Sequence, residues 1–505
     1  MADWSWTVSD LEEWDERTYA KALEFGLTPY PVDFRVLDWD QLVGFMSYGM
    51  TFHYGHWSYG KDYDISMTAK RYEEQGLPYE MVVNTNPSVA VLWRDNSLVL
   101  QILVMAHVYG HSDFFANNTL FQKMTRADRI EEVCQTHARE ISEMNRDPSI
   151  PSDRVEELLT IGHSLMFHRS RNPDYKRETR EQIQERVVRQ FRERHQPGEW
   201  DHLKPASELK IPMPDFNQVP LEPDEDLLRF LAEYAPLEGW ERRILEIVAS
   251  DSDRLIPNIC TKVINEGWAT YWHDRIVRSL DMLPSGFEIE YARTMAGVVR
   301  PQEVGINPYW LGLALWRDIY RRYETPDRND PDEADLPGGE GDKMLFAIRE
   351  LNSDSSFISG YLSDRLISGL KMFTLMYQGD HLDEEVYKIT DVPDRQGFER
   401  IRRKVVASVG LNTIPVIRVH NANYYGDRTL HLEHVHDGRD LKLFKPDASL
   451  KIVRGMDKVP LSGIEKMLQQ IGRIWRNPIR LTTRYDNTDL VVICDRNGNV
   501  DVKSA

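Results

Sequence analysis

Two histidines four positions apart, His107 and His111, sit inside the apolar run "MAHVYGHSDFF" (105–115). On a helix this spacing puts both imidazoles on one face, where they can share a metal ion. Zincin peptidases use the same spacing with a glutamate directly after the first histidine, as the base that activates water. Here that position is Val108. The pair could hold a metal without that base, or could serve only as hydrogen-bonded core polar groups.

A second stretch, "NEGWATYWH" (265–273), places Glu266, Thr270 and His273 on one helical face among tryptophans. A buried carboxylate needs a partner. A metal would supply one, and so would hydrogen bonds to nearby aromatic segments. Two ligands from one helix and a glutamate from a distant one is the gluzincin plan, so the metal set to test is His107, His111 and Glu266, with zinc or another divalent ion as the cofactor. Glu266 and His273 are also candidates for catalysis, and "HYGHW" adds His53 and His56 in a Gly-flanked loop with Lys61, Asp62 and Asp64 close by. His163 falls on the apolar side of its helix as a further ligand candidate. In "HLEHVH" (431–436), strand alternation puts His434 and His436 on one face, where exposed strand histidines are the default reading.

The bulk composition limits the alternatives. A net charge of −19 over 505 residues argues against a general nucleic-acid or anionic-membrane binder. Three widely spaced cysteines with no CxxC argue against a thiolate zinc site or a disulfide framework and suit a reduced compartment. The N-terminus has no apolar signal-peptide core, and the most apolar window, "LVLQILVMA" (98–106), is too short to span a bilayer. No GxGxxG, Walker A or GxSxG motif occurs, so no nucleotide is expected. A di-metal carboxylate protein would need paired E-x-x-H helices, which are not found.

The elements that must position these residues are mostly helices. Helical patterns are expected at 10–26, over two long stretches within 96–145, and at 152–168, 174–195, 224–235, 238–250, 255–280 and 308–323. Residues 79–92 suggest a strand and turn. The segment "TPDRNDPDEADLPGGEGD" (325–342) looks like an acidic linker or loop. Past about 384 the pattern turns to a helix at 394–408 followed by strands, ending in a hairpin around an Asn-Gly turn. This predicts an α+β protein with a large, mostly helical domain over 1–380 and a small α+β domain over 381–505.

The stretches "GLTPYPVDFRVLDWDQLVGFMSYGMTFHYGHWSYGKDYD", "VNTNP", "NSLVLQILVMAHVYGHSDFFANN" and "NEGWATYWH" resemble the stage V sporulation protein R (SpoVR-like) family, across essentially the whole chain. The resemblance implies a cytoplasmic protein linked to spore cortex formation or to stationary-phase and stress physiology. It implies partners in the same system, a serine protein kinase and a von Willebrand-type protein, but no reaction. The "EGWA" helix after a His-pair helix is similar to the third-ligand helix of gluzincin-like peptidases, a gluzincin-like helical core from which Val108 departs. Two functions follow: a metal-dependent hydrolase, or a non-enzymatic regulator or scaffold.

Overall fold

A computed structural model describes residues 6–44, 81–170, 178–194, 216–302, 305–373, 375–377, 387–389, 393–441 and 463–504. In chain order the elements are α1 (Val8–Glu24), β1 (Val32–Leu37), α2 (Trp39–Gly44), β2 (Met81–Val83), β3 (Ser88–Trp93), α3 (Leu98–Asn117), α4 (Thr119–Met124), α5 (Ile130–Arg146), α6 (Ser152–Leu165), α7 (Arg180–Arg194), α8 (Leu227–Tyr234), α9 (Gly239–Cys260), α10 (Lys262–Arg278), α11 (Phe287–Val298), α12 (Pro308–Glu324), α13 (Gly341–Leu351), α14 (Asp354–Tyr361), α15 (Asp364–Gly369), β4 (Leu375–Tyr377), β5 (Tyr387–Ile389), α16 (Arg395–Ala407), β6 (Ile417–Asn421), β7 (Leu430–His434), α17 (Gly463–Trp475), β8 (Ile479–Tyr485), β9 (Thr488–Cys494) and β10 (Val500–Ser504). The protein is α+β and mainly helical, as its periodicity predicts.

Two compact units are each assembled from separated segments: 1–143 with 253–413, and 144–252 with 414–505. The sequence suggests one cut, at 380/381. The difference has a physical origin, because residues 144–252 read as more of the helical pattern, and helical periodicity does not say which core a helix joins.

In the first unit α10 is the central helix, with α3 on one side and α12 on another. Glycines set these approaches. A Cβ on Gly110 of α3 would lie 2.6 Å from Ala269 Cα, and one on Gly267 would lie 2.5 Å from Gly312 Cα. Backbones this close leave no room for a methyl group. Trp268, Trp272 and Trp316 fill the surrounding core and are fully buried. A buried ion pair ties the helices further: Arg349 of α13 donates to both Asp113 oxygens at 2.7 Å, and Trp268 Nε1 donates to the same carboxylate at 2.9 Å. A three-stranded sheet in the order β1-β3-β2 packs at the edge of this core, with β1 parallel and β2 antiparallel to β3.

The apolar window at 98–106 belongs to a longer element than its own length suggests. Helix α3 has 20 residues and is long and apolar enough to cross a membrane, yet 89% of its most apolar window is buried inside the protein. Its hydrophobicity all round is that of a core helix. The acidic segment 325–342 is also no loose linker. Glu333 is buried, accepts two hydrogen bonds from Arg321 of α12 and also caps the Asp327 N–H at 2.9 Å.

The second unit carries a five-stranded sheet in the order β10-β9-β8-β7-β6, with β7 and β8 parallel and the rest antiparallel. Helix α17 covers it with Ile464, Leu468, Ile471, Ile474 and Trp475. The Asp495–Asn499 hairpin turn has Gly498 at φ 81°, the left-handed position expected at the Asn-Gly turn. His434 departs from the expectation of an exposed histidine: it is buried and paired with Thr483 Oγ1 at 2.9 Å. His436 lies outside β7 and pairs with Asp440 at 3.0 Å.

Candidate metal centre

Helices α3 and α10 bring the two halves of the sequence pattern together. Ser97 caps α3, its hydroxyl accepting from Leu100 N–H at 3.1 Å. The N-terminus of α10 is held from outside the helix: Asp354 accepts from the N–H groups of Val263 and Ile264 at 3.0 and 2.8 Å. The Gly110–Ala269 contact lets the helices approach closely just where His107 and His111 face Glu266.

Glu266 Oε2 lies 3.3 Å from His111 Nε2 and 3.7 Å from His107 Nε2. One ligand atom from each of the three residues falls within 4.8 Å of the others, and this is the one such group of His, Cys, Asp or Glu among the described residues. Ligands about 2.0–2.2 Å from a tetrahedral zinc ion stand roughly 3.3–3.5 Å apart, so the donor spacing fits. Both histidines are buried.

The far sides of the two rings are held by partners that set their tautomers. His111 Nδ1 is 3.0 Å from Asn265 Oδ1. An amide oxygen only accepts, so Nδ1 carries the proton and the Nε2 lone pair is left facing Glu266. His107 Nδ1 is 2.8 Å from His273 Nδ1, and His273 Nε2 is 3.1 Å from Met295 Sδ. Thioether sulfur is a weak acceptor, so a neutral His273 donates from Nε2 and accepts from His107 Nδ1–H. Burial, reinforced by the adjacent His107, holds the His273 pKa well below the ordinary histidine value. The result is two imidazole lone pairs and a carboxylate turned toward one another, a donor set suited to a cation. Burial opposes ionisation of Glu266; with no cation between the groups, protons on the His107 and His111 rings outweigh burial and hold the carboxyl well below the usual carboxylate range, and a cation would take the place of those protons.

The structure brings His107, His111, Glu266 and His273 together. His273 contacts His107 and Met295 through its two ring nitrogens, so it supports His107 rather than completing the triad. Val108 is fully buried in the core. His53, His56, Lys61, Asp62 and Asp64 lie outside the described residues. His163 lies on α6, in the other unit. Asn265, Met295 and Asp354 were not singled out by the sequence. Asn265 is signalled only as a polar neighbour of Glu266 on a buried helix, and nothing local marks Asp354 as the cap of a helix more than eighty residues earlier. A cavity of about 850 Å³ adjoins the site, with His107, His273, Met295 and Asp354 in its wall.

Residues 5–414 match the family model described as SpoVR like protein. The chain is 33% identical over 512 residues to "Uncharacterized protein YcgB" of Escherichia coli (strain K12), spanning 97% of this chain and 94% of that protein. No solved structure matches the chain. With the family model covering most of the chain and a full-length relative beside it, the chain belongs to the SpoVR-like family.

Proposed function

We propose that this SpoVR-family protein binds one divalent metal ion, zinc in the first instance, through His107, His111 and Glu266, and uses it in acyl-bond hydrolysis. The observation that carries the reading is the convergence of His107 Nε2, His111 Nε2 and Glu266 Oε2 at metal-ligand spacing, each histidine anchored behind by His273 or Asn265. A bound ion of this kind supplies Lewis acidity and an acidified water. The chain's own residues orient the two rings and bury His107 Nε2 and Glu266 Oε2 between α3 and α10, while His107 and His273 border the adjoining cavity. With Val108 where the zincin base would stand, the reaction does not follow the standard zincin plan. The process served is the one the family resemblance implies, cortex formation or stationary-phase and stress physiology in the cytoplasm, alongside a serine protein kinase and a von Willebrand-type partner.

Elemental analysis of the purified full chain tests this. One equivalent of divalent metal is expected, lost in His111→Ala and in Glu266→Gln while the circular dichroism spectrum is kept. A wild-type protein that takes up no metal after incubation with zinc overturns the reading.

A further inference from the structure

We propose that β10 is a self-association edge: it pairs antiparallel with the β10 of a second copy of this chain and continues the five-stranded sheet across a two-fold axis at Val502. The two edges of that sheet differ. The β6 edge is closed by the chain itself, because Val419 and Asp224 exchange backbone hydrogen bonds at 2.7 and 3.0 Å and Ala422 donates to the Val219 carbonyl at 2.6 Å. At the other end β10 pairs only with β9 among the described residues. An open edge presents unpaired N–H and C=O groups and is a template for another strand.

Which groups point outward follows from the ladder. The Asp495 N–H donates to the Asn499 carbonyl at 2.9 Å, so this is a hydrogen-bonded pair. Such pairs alternate along an antiparallel ladder, which makes Ile493–Asp501 and Val491–Lys503 the next ones. Asp501 and Lys503 therefore turn their backbone groups toward β9, and Val500, Val502 and Ser504 turn theirs outward. The side chains divide as well. Val500 and Val502 stand opposite Cys494 and Val492, on the face that α17 covers, where a Cβ on Gly472 would meet Cys494 Sγ at 3.9 Å. The two valines are half-buried, while Asp501 and Lys503 are exposed on the opposite face.

Antiparallel pairing about Val502 satisfies both patterns. Val502 meets the partner's Val502, and Val500 meets the partner's Ser504, as hydrogen-bonded pairs, and the valines extend the apolar layer beneath α17. Asp501 falls opposite the partner's Lys503, at the non-hydrogen-bonded position where cross-strand side chains come closest. Within one strand Lys503 Nζ lies 3.3 Å from Asp501 Oδ2, an exposed contact of little worth that pairing can exchange. Centring the pairing on Asp501 or on Lys503 instead sets like charges directly opposite, which is destabilising. Exposed charges usually guard an edge against pairing; here opposite signs two residues apart match their own two-fold image and select one register. A strand pair this short buries less than about 1,200 Å², the range of weak, concentration-dependent association.

The test is sedimentation velocity of the full chain at low salt across a wide concentration range, where a reversible dimer is expected. Val502→Pro removes an outward N–H that β9 does not use, a position where an edge strand accepts proline. It should abolish the dimer and leave the circular dichroism spectrum and melting temperature unchanged. Lys503→Asp should raise the dissociation constant about tenfold or more, and Asp501→Lys together with Lys503→Asp in one chain should restore it. Mixing the two single variants should give the heterodimer in preference to either homodimer. A wild type that stays monomeric overturns the proposal, as does a dimer that Val502→Pro leaves intact. A dimer indifferent to the charge changes overturns the register. If Val502→Pro does not fold, the charge series decides alone: restoration by the double change supports the pairing, and its failure overturns it.

Discussion

The approach of α3 to α10 should be measurable through one methyl group. In Gly110→Ala the new Cβ would lie 2.6 Å from Ala269 Cα and 3.1 Å from Ala269 Cβ, where ordinary contact begins at 3.4 Å. The backbone neighbour cannot turn aside as a side chain could, so the helices must part by about 0.8 Å at this crossing. Overpacking of this kind costs about 1–3 kcal/mol. The better helix propensity of alanine returns about 1 kcal/mol, leaving a net loss of up to about 2 kcal/mol in denaturant unfolding. The effect on metal binding is larger in proportion, because His107 and His111 flank Gly110 while Glu266 is on the opposite helix. Metal–ligand distances tolerate only about 0.2 Å, so zinc affinity in a competition assay should fall tenfold or more, a loss of at least about 1.4 kcal/mol. Gly297→Ala, where the methyl meets nothing within 4 Å, is the matched control and should be neutral or mildly stabilising. A Gly110→Ala protein with wild-type unfolding midpoint and wild-type zinc affinity would refute the idea that this contact sets the ligand geometry.

Two further outcomes are expected. Arg349→Met strands the Asp113 carboxylate, which is fully buried, and should cost about 3–5 kcal/mol in urea unfolding; Asp113→Asn with Arg349→Met together should cost less than the single change, and additivity would show that the pair is not coupled. Burial pushes the Asp354 carboxyl up to about 7 despite the N–H groups it accepts. Its folded pKa is therefore above its unfolded value, so its contribution to stability is present below about pH 4 and is lost as pH rises toward 7. Unfolding measured across that window should show this decline in the wild type and a flatter profile in Asp354→Asn; identical profiles would remove Asp354 as its source.

Much of this protein was legible in its residues because the signals are local. The i, i+4 histidines lie on one helix face by helical geometry alone, and the 3.6-residue pattern locates α1, α6, α12 and α16 to within a few residues, while the break between α9 and α10 falls at Thr261 rather than at 250–255. Helix α11 carries no such signal: its short sequence, "FEIEYARTMAGV", buries only Phe287 and Tyr291 and has little amphipathic pattern. The hairpin at the C-terminus was announced by Asn497 and Gly498, since only a narrow set of residues accepts that turn.

What tertiary structure alone decided is which distant residues meet. In the sequence Glu266 reads as the third ligand, and His273, on the same helical face, as a candidate catalytic group. Packing turned Glu266 toward both Nε2 atoms and set His273 behind His107, a distinction of a few ångströms that depends on Gly110 lying against Ala269. The same is true of Asp354, whose role as the cap of α10 exists only once α14 has packed beside it, and of the segment 325–342, whose acidic composition reads as solvated until Arg321 reaches the buried Glu333. Composition and spacing specify the chemistry a residue can perform; the long-range contacts that choose its partner are made by side chains whose separation in sequence carries no periodic signal.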